Sequence, residues 1–560
     1  MLSQVVLTAL MGFAHLPALY AELAAPPTLE LPWGVYQGRP MEEDPKPVSD
    51  GRNCIQVDPA ELENAPGGEN PIDTPEDQVT EQAEDCLFLD LYVPKDALGD
   101  KKASMPVVVW LYGGAFAFGS KNQMGPLYTG RSVITASKYK TIFVAGNYRV
   151  GAFGWLAGDY MQKEGQPNAG LHDQALLFQW VQEHIGKVSG DKSMVTAWGE
   201  SAGAGSILHH LVREDAAVDP TFKTFAVQSP AFQWAWDNSP GGTLDQVYQN
   251  FSSLAGCGQA FDIDCLRKSD NLTAANFALF KTVGPTGLFP VGPAVDGKWI
   301  KNIPTISFAR GNYWKSSIRS AIVSHCLNEP VSFIPKWVNS QETFTKFLQF
   351  FLPGPGLEPQ RQKITSQYPC DAPPYGGNYK RCLGSIIQDA SFTCNTRDLY
   401  SAYPDKAYMM RYGYPLPYYA RHASDLVSLF SNTHSEVMEL LAKNGFTGEV
   451  ANLYSNGLSN TGSAKAYQSY FASFALSGGD PNTLEMPEMD YGNPPKWPVA
   501  DGSGDQLKNV LTVQWNSNQP GYVLDVPDDQ NSKKVCAFWT KIAEEVVGAQ
   551  KETKRLSKEL

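Results

Sequence analysis

The chain is 560 residues long, with 42% hydrophobic, 12% aromatic and only 18% charged content. That balance excludes a disordered chain, a coiled coil and a collagen-like fibre, and it supplies enough apolar surface for a large core. The formal net charge of -13 repels phosphate backbones, so nucleic acid is excluded as a partner.

In chain order, the first segment is mostly apolar from Val5 to Leu16, interrupted by Thr8 and His15, and is followed by Pro17 and the small residues Ala18, Ala21 and Ala24. This reads as a secretory signal peptide over about residues 1–21, removed near 18–24; a buried N-terminal helix is the competing reading. Short β-branched or apolar runs then predict strands over 106–111, 141–145, 193–198, 225–228, 319–324 and 407–412. Helical spacing falls between them, as over 173–185, where Leu177, Trp180, Val181 and Ile185 share a face, and again over 533–547 with Val535, Phe538, Trp539, Ile542 and Val546. Alternating strands and helices predict an α/β domain with a mostly parallel sheet covered on both faces. No repeat or low-complexity linker divides it, so one domain is expected over 25–548, ahead of a charged tail at 549–560. No later run is long and apolar enough to predict a transmembrane helix.

The chemistry-bearing signal is Gly199-Glu200-Ser201-Ala202-Gly203, with a predicted strand before it and a predicted helix after it. A serine on such an elbow has a strained backbone and close neighbours, which glycines on both sides relieve. A serine hydroxyl needs a base held by an acid, and in this type of fold the acid and then the histidine follow the serine. Five histidines follow Ser201, at 209, 210, 325, 422 and 434. His209 and His210 fall on the helix leaving the elbow and His325 beside a strand, whereas His422 lies in a loop after one. Glu329, just past the strand 319–324, is placed to orient an imidazole, with an exposed loop glutamate as the competing reading. Gly113 and Gly114, after the strand 106–111, together with Ala202, offer backbone N–H groups for an oxyanion.

These residues resemble the type-B carboxylesterase/lipase family, which includes cholinesterases and fungal lipases. Glu84-Asp85-Cys86-Leu87-Phe88-Leu89-Asp90-Leu91 resembles one family signature, the run Asn147-Tyr148-Arg149-Val150-Gly151 onward to Leu156 another, and Asn168-Ala169-Gly170-Leu171-His172-Asp173-Gln174 with Trp180-Val181 the helix ahead of the elbow. The resemblance implies an α/β-hydrolase fold with Ser201 as nucleophile, Glu329 as acid, His422 as base, and Gly113, Gly114 and Ala202 as the oxyanion hole. Three positions depart from the family pattern: Asn328-Glu329-Pro330 stands where the family tends to have Asp-Glu-Gly, Ala423 replaces a glycine, and Tyr112 replaces a histidine. Of nine cysteines, the resemblance pairs Cys54 with Cys86, Cys257 with Cys265, and Cys394 with Cys536; Cys370 with Cys382 is a fourth expected bridge, leaving Cys326 free. Asn250-Phe251-Ser252 and Asn271-Leu272-Thr273 are expected glycan acceptors on an exported chain.

The implied reaction needs no cofactor or metal, and the implied partner is a small ester; no feature sets an oligomeric state. Residues 55–85 carry ten acidic residues and no Lys or Arg, a composition unsuited to inserting into lipid. A soluble-ester carboxylesterase is therefore expected, ahead of an interfacial lipase or sterol esterase. A catalytically impaired binding protein on the same fold is the reading from a different class.

Overall fold

A computed structural model describes residues 28–38, 51–57, 81–98, 104–123, 129–283, 289–431, 433–443, 446–460, 462–489, 493–516, 519–524 and 526–559. The expected signal peptide and the acidic residues 58–80 lie outside the described residues.

Runs such as Val107-Val108-Val109-Trp110-Leu111 show no polar alternation and are buried on both faces, as the central strands of a helix-covered sheet must be. Among the described residues nine strands form this sheet: β1 (Leu89–Tyr92), β2 (Met105–Leu111), β3 (Ile142–Gly146), β4 (Gly190–Glu200), β5 (Thr224–Gln228), β6 (Ser320–Cys326), β7 (Ala407–Tyr412), β8 (Leu511–Asn516) and β9 (Gln519–Val523). Their spatial order is β9-β8-β7-β6-β5-β4-β2-β3-β1. From β3 to β8 neighbours are parallel, and β1 and β9 add antiparallel edges.

The strand order reverses between β2 and β4. The chain runs outward from β2 to β3, then returns to the other side of β2 and continues through β4 to β8. Such a switch point opens a crevice at the carboxyl ends of the strands, where ligands of open α/β sheets bind.

All six strands predicted from the sequence are present. β4 begins three residues earlier than predicted, at Gly190, because Gly190, Asp191 and Lys192 carry no apolar signal yet extend the strand past a register shift opposite Met105. β1, β8 and β9 were not predicted; they sit at or near the sheet edges, and polar residues such as Asp90, Thr512, Gln514 and Gln519 interrupt their apolar runs.

Helices cover both faces. α1 (Ala169–His184) starts four residues ahead of its predicted boundary, behind Asn168, whose buried amide donates to the Ala294 carbonyl at 2.9 Å. α2 (Ser201–Leu211) is buried on every side, as the apolar, small-residue composition after the elbow requires. A second apolar core lies beside the main one. It is built by α3 (Gln341–Phe351), α4 (Tyr379–Gln388), α5 (Cys394–Ala402) and the last helix, α7 (Lys533–Glu559), with Phe344, Phe347, Ile386 and Trp539 at its centre. Preceding α7 in the chain, α6 (Ser463–Ser477) packs on the main core. α7 runs on to Glu559, through the segment predicted as a charged tail; its Lys, Glu and Arg are good helix formers.

Disulfides join Cys54 to Cys86, Cys257 to Cys265, Cys370 to Cys382 and Cys394 to Cys536, and Cys326 is a buried free thiol. The last bridge ties the start of α5 to α7 across a separation of 142 residues. Closing a loop of that length removes up to about 5 kcal/mol of denatured-chain entropy. The double variant Cys394→Ser/Cys536→Ser should accordingly lose several kcal/mol of stability, read as a lower urea midpoint; an unchanged midpoint would show that the second core holds α7 unaided.

Candidate active site

β4 ends at Glu200, and Ser201 opens α2 with φ of 55°, a left-handed conformation that side chains with a Cβ normally avoid. Two close approaches explain the flanking glycines. A methyl group at Gly203 would overlap the carbonyl oxygens of Leu111 and Tyr112, and one at Gly199 would come within 2.7 Å of the Gly203 carbonyl carbon. The elbow is thus wedged against the end of β2, where the Gly113–Gly114 loop begins.

That loop is shaped from within. Gly114 has φ of 111°, Ala115 and Phe116 are also left-handed, and the Gly114 carbonyl accepts from Ala117 and Phe118. A Cβ at Gly113 would lie 2.9 Å from that of Ser201, so its backbone abuts the serine. Among the described residues no acceptor pairs with the N–H of Gly113 or Gly114, and Ala202, in the first turn of α2, has no intrahelical acceptor for its N–H. Tyr112 anchors the loop through a reciprocal pair. Its hydroxyl donates to the Tyr148 carbonyl at 2.6 Å, the Tyr148 hydroxyl donates to the Tyr112 carbonyl at 2.7 Å, and the rings stack at 4.2 Å.

Glu329 and His422 leave the carboxyl ends of β6 and β7. Their loops are stitched together by the Asn328 N–H, which donates to the Ala420 carbonyl at 2.9 Å, and by the Asn328 amide, which donates to the Tyr418 carbonyl at 2.7 Å. Pro330 falls in the first turn of the short 3-10 helix Glu329–Ser332, a position with no N–H to satisfy, so the departure from Asp-Glu-Gly leaves the acid in place.

The structure brings Ser201, Glu329 and His422 together. Glu329 is fully buried; one carboxylate oxygen accepts the Cys326 N–H at 2.6 Å and the other meets His422 Nδ1 at 2.6 Å. A carboxylate only accepts, so Nδ1 carries the ring proton, leaving Nε2 to accept from the Ser201 hydroxyl at 2.7 Å. Phe333 and Phe392 pack on the imidazole at 5.1 and 5.0 Å between ring centres. Phe392 is aimed there by a single π turn, Asp389–Thr393, between α4 and α5. The other histidines lie elsewhere: His209 and His210 are buried in α2, where burial pushes their pKa values down to about 4 and about 3, and His325 is inside β6.

Sequence reasoning passed over Glu200, which directly precedes Ser201, and Asp425, three residues after His422. Glu200 Oε1 lies 3.2 Å from His422 Nε2. Burial first, then the nearby Asp425 and Glu329, push Glu200 up to about 8 against the pull of His422. Burial alone would lower the His422 pKa; Glu200 and Glu329, with the Glu329 hydrogen bond and Asp425, raise it to about 9. The two shifts are linked: a neutral Glu200 withdraws the foremost of these raising influences and lets the imidazole give up its proton at lower pH. Among the described residues no group of three or more His, Cys, Asp or Glu side chains is arranged to hold a metal ion.

Residues 24–539 match the model of the carboxylesterase family. The chain belongs to that family. It is similar to a secreted lipase of Arthroderma benhamiae, 35% identical over 92% of each chain, and to carboxylesterase patB of Aspergillus clavatus, 30% identical over 82% of this chain and 76% of that protein. Among solved structures, Aspergillus niger EstA is similar with a TM-score of 0.67 and 25% identity, covering 89% of this chain and 88% of that one. A thermophilic PNB esterase, 22% identical with a TM-score of 0.61 over 84% of this chain and 88% of that one, shares the fold. This carboxylesterase-family chain is a carboxylic ester hydrolase on an α/β-hydrolase fold.

With His422 as the expected base, the imidazole has to be neutral for turnover, and the acidic limb of kcat/KM then reports its pKa. Replacing Glu200 by Gln removes a carboxylate that raises that pKa. The limb of E200Q should therefore move to lower pH; a limb that stays or moves upward would show that Glu200 does not set the charge on His422.

Proposed function

We propose that the chain hydrolyses esters through a covalent acyl-enzyme. Ser201 Oγ attacks the ester carbonyl as His422 Nε2 takes its proton, Glu329 stabilises the imidazolium, and the N–H groups of Gly113, Gly114 and Ala202 receive the oxyanion. The imidazolium protonates the departing alcohol. Water then attacks the acyl-Ser201 ester by the same route in reverse, releasing the acid. The observation that carries this reading is the continuous chain from Glu329 to His422 to Ser201 at 2.6 and 2.7 Å. The same chain of donors and acceptors counts against the binding-protein alternative.

The acyl portion is read from an apolar cavity lined by Phe232, Trp234, Trp236, Phe289, Phe350 and Phe351. It adjoins the site on two sides. The Ala231 N–H, next to Phe232, donates to the Ser201 carbonyl at 3.1 Å, and the lining residues Ala390 and Ser391 immediately precede Phe392 on the imidazole. Aromatic walls favour an apolar acyl group. The acidic composition of residues 55–85 supports soluble esters. The exposed apolar Phe350, Leu416 and Tyr418, together with the Arthroderma relative's name, favour an interfacial lipase as the second reading.

The N-terminal apolar segment, four disulfides and the secreted relative support export. Asn250 and Asn271 are exposed, as glycan acceptors must be, and loss of mass on endoglycosidase treatment would verify them.

Two experiments test the reading. An organophosphate should label Ser201 stoichiometrically, and Glu329→Gln should lower kcat by about 10²–10⁴-fold with little change in KM; no labelling and no turnover would support a binding protein. Rates on an ester series should saturate below the solubility limit, whereas a jump in rate as the ester forms a separate phase would establish the lipase.

A further inference from the structure

Behind the loop that carries Glu329 lies a second set of charges that ester hydrolysis leaves unused, buried apart from the largely exposed Asp529. His325 and Arg411 are in register on the adjacent parallel strands β6 and β7, so their side chains leave the same face of the sheet. Each ends on one of two consecutive carboxylates. His325 Nε2 is 2.8 Å from Asp528 Oδ2 with both side chains fully buried, and Arg411 donates to Asp529 at 3.1 Å while its Nε donates to Thr512 at 3.0 Å. The next two residues continue the seam. The Gln530 amide donates to the Leu327 carbonyl at 3.0 Å; the Asn531 amide donates to Thr396 at 2.8 Å, and the Asn531 carbonyl accepts from Arg397 at 2.9 Å. This strap leads directly into α7, whose Cys536 is bonded to Cys394 of α5.

The strap grips residues 325–327, and that backbone grips the acid. The Cys326 N–H, on the peptide just after His325, holds one oxygen of Glu329, whose other oxygen meets His422. Burying an ion pair incurs a desolvation cost that an apolar staple of equal volume would not, so its presence here points to geometry rather than stability. The charged groups around His325 are Asp528, Glu329 and the in-register Arg411; those around His422 are Glu200, Glu329 and Asp425.

We propose that the strap over 528–531, through the His325–Asp528 pair and Gln530, is a positioning element that sets the Glu329 carboxylate against His422. The inference rests on Glu329 being the acid of the proposed reaction.

The test uses the full chain with each rate normalised to sites titrated by an organophosphate. Asp528→Asn should lower kcat about tenfold or more with KM within about threefold, and move the acidic limb of kcat/KM to lower pH, because a loosened Glu329 supports the imidazolium less. Gln530→Met leaves the buried pair intact and should lower kcat about threefold in the same manner. In a Glu329→Gln background neither change should lower kcat further. Unchanged kcat and limb in both variants, with only a lower thermal midpoint, would overturn the proposal, as would losses that add to that of Glu329→Gln. Should Asp528→Asn not fold, Gln530→Met and its double variant with Glu329→Gln decide the matter. A Glu329→Gln protein with full turnover would remove the acid itself, and the strap's role with it.

Discussion

The 2.6 Å hydrogen bond between Glu329 and His422 Nδ1 is the constraint around which the carboxyl edge of the sheet is organised. A carboxylate with no solvent exposure must have both oxygens satisfied by protein, and Glu329 has the Cys326 N–H for one and the imidazole for the other. With Nδ1 fixed as the donor, the ring has one free lone pair, and it faces Ser201. Three loops from three parallel strands must converge for this, and the sheet makes them do so: β4, β6 and β7 all deliver their chains to the same edge, beside the reversal in strand order at β2.

A second consequence of burial is an excess of acids around a single base. Glu200, Glu329 and Asp425 all act on His422, and water reaches none of them freely. Burial pushes Asp425 up to about 6 and Glu200 to about 8, so the cluster sheds charge as protons become available. The carboxyls of Glu200 and Asp425 thereby grade the field at the imidazole over a pH range above that of ordinary carboxylates, while the Gln228 amide, donating to Asp425 at 2.7 Å, holds Asp425 lower than burial alone would. The basicity of His422 belongs to this cluster rather than to any one pair.

Much of this was legible from residue order. The central strands announced themselves because both of their faces are buried, which removes polar interruptions from runs such as 107–111 and 321–324. The elbow was legible because its crowding admits only glycine at 199 and 203. Ser201, Glu329 and His422, which the structure brings into one hydrogen-bonded chain, could be singled out because each follows the carboxyl end of a strand. The rest depended on contacts between distant segments. Nothing local to Tyr112 indicates Tyr148, and nothing near His325 indicates Asp528, two hundred positions away. Phe392 reaches the imidazole through a π turn that has no sequence signature, and β8 and the edge strand β9 alternate apolar with polar residues over too few positions to stand out. Glu200 and Asp425 were in plain view close to Ser201 and His422; their influence comes from burial, which residue order does not display.

The tyrosine at position 112 has a consequence of its own. A histidine there would gain and lose a proton near pH 6.5. A phenol sealed in the interior, with its acidity suppressed by burial and tied to Tyr148, keeps its proton throughout the range in which an imidazole titrates. The loop proposed to cradle the oxyanion is therefore proton-silent, and titration in this site is left to the imidazole and its ring of carboxylates.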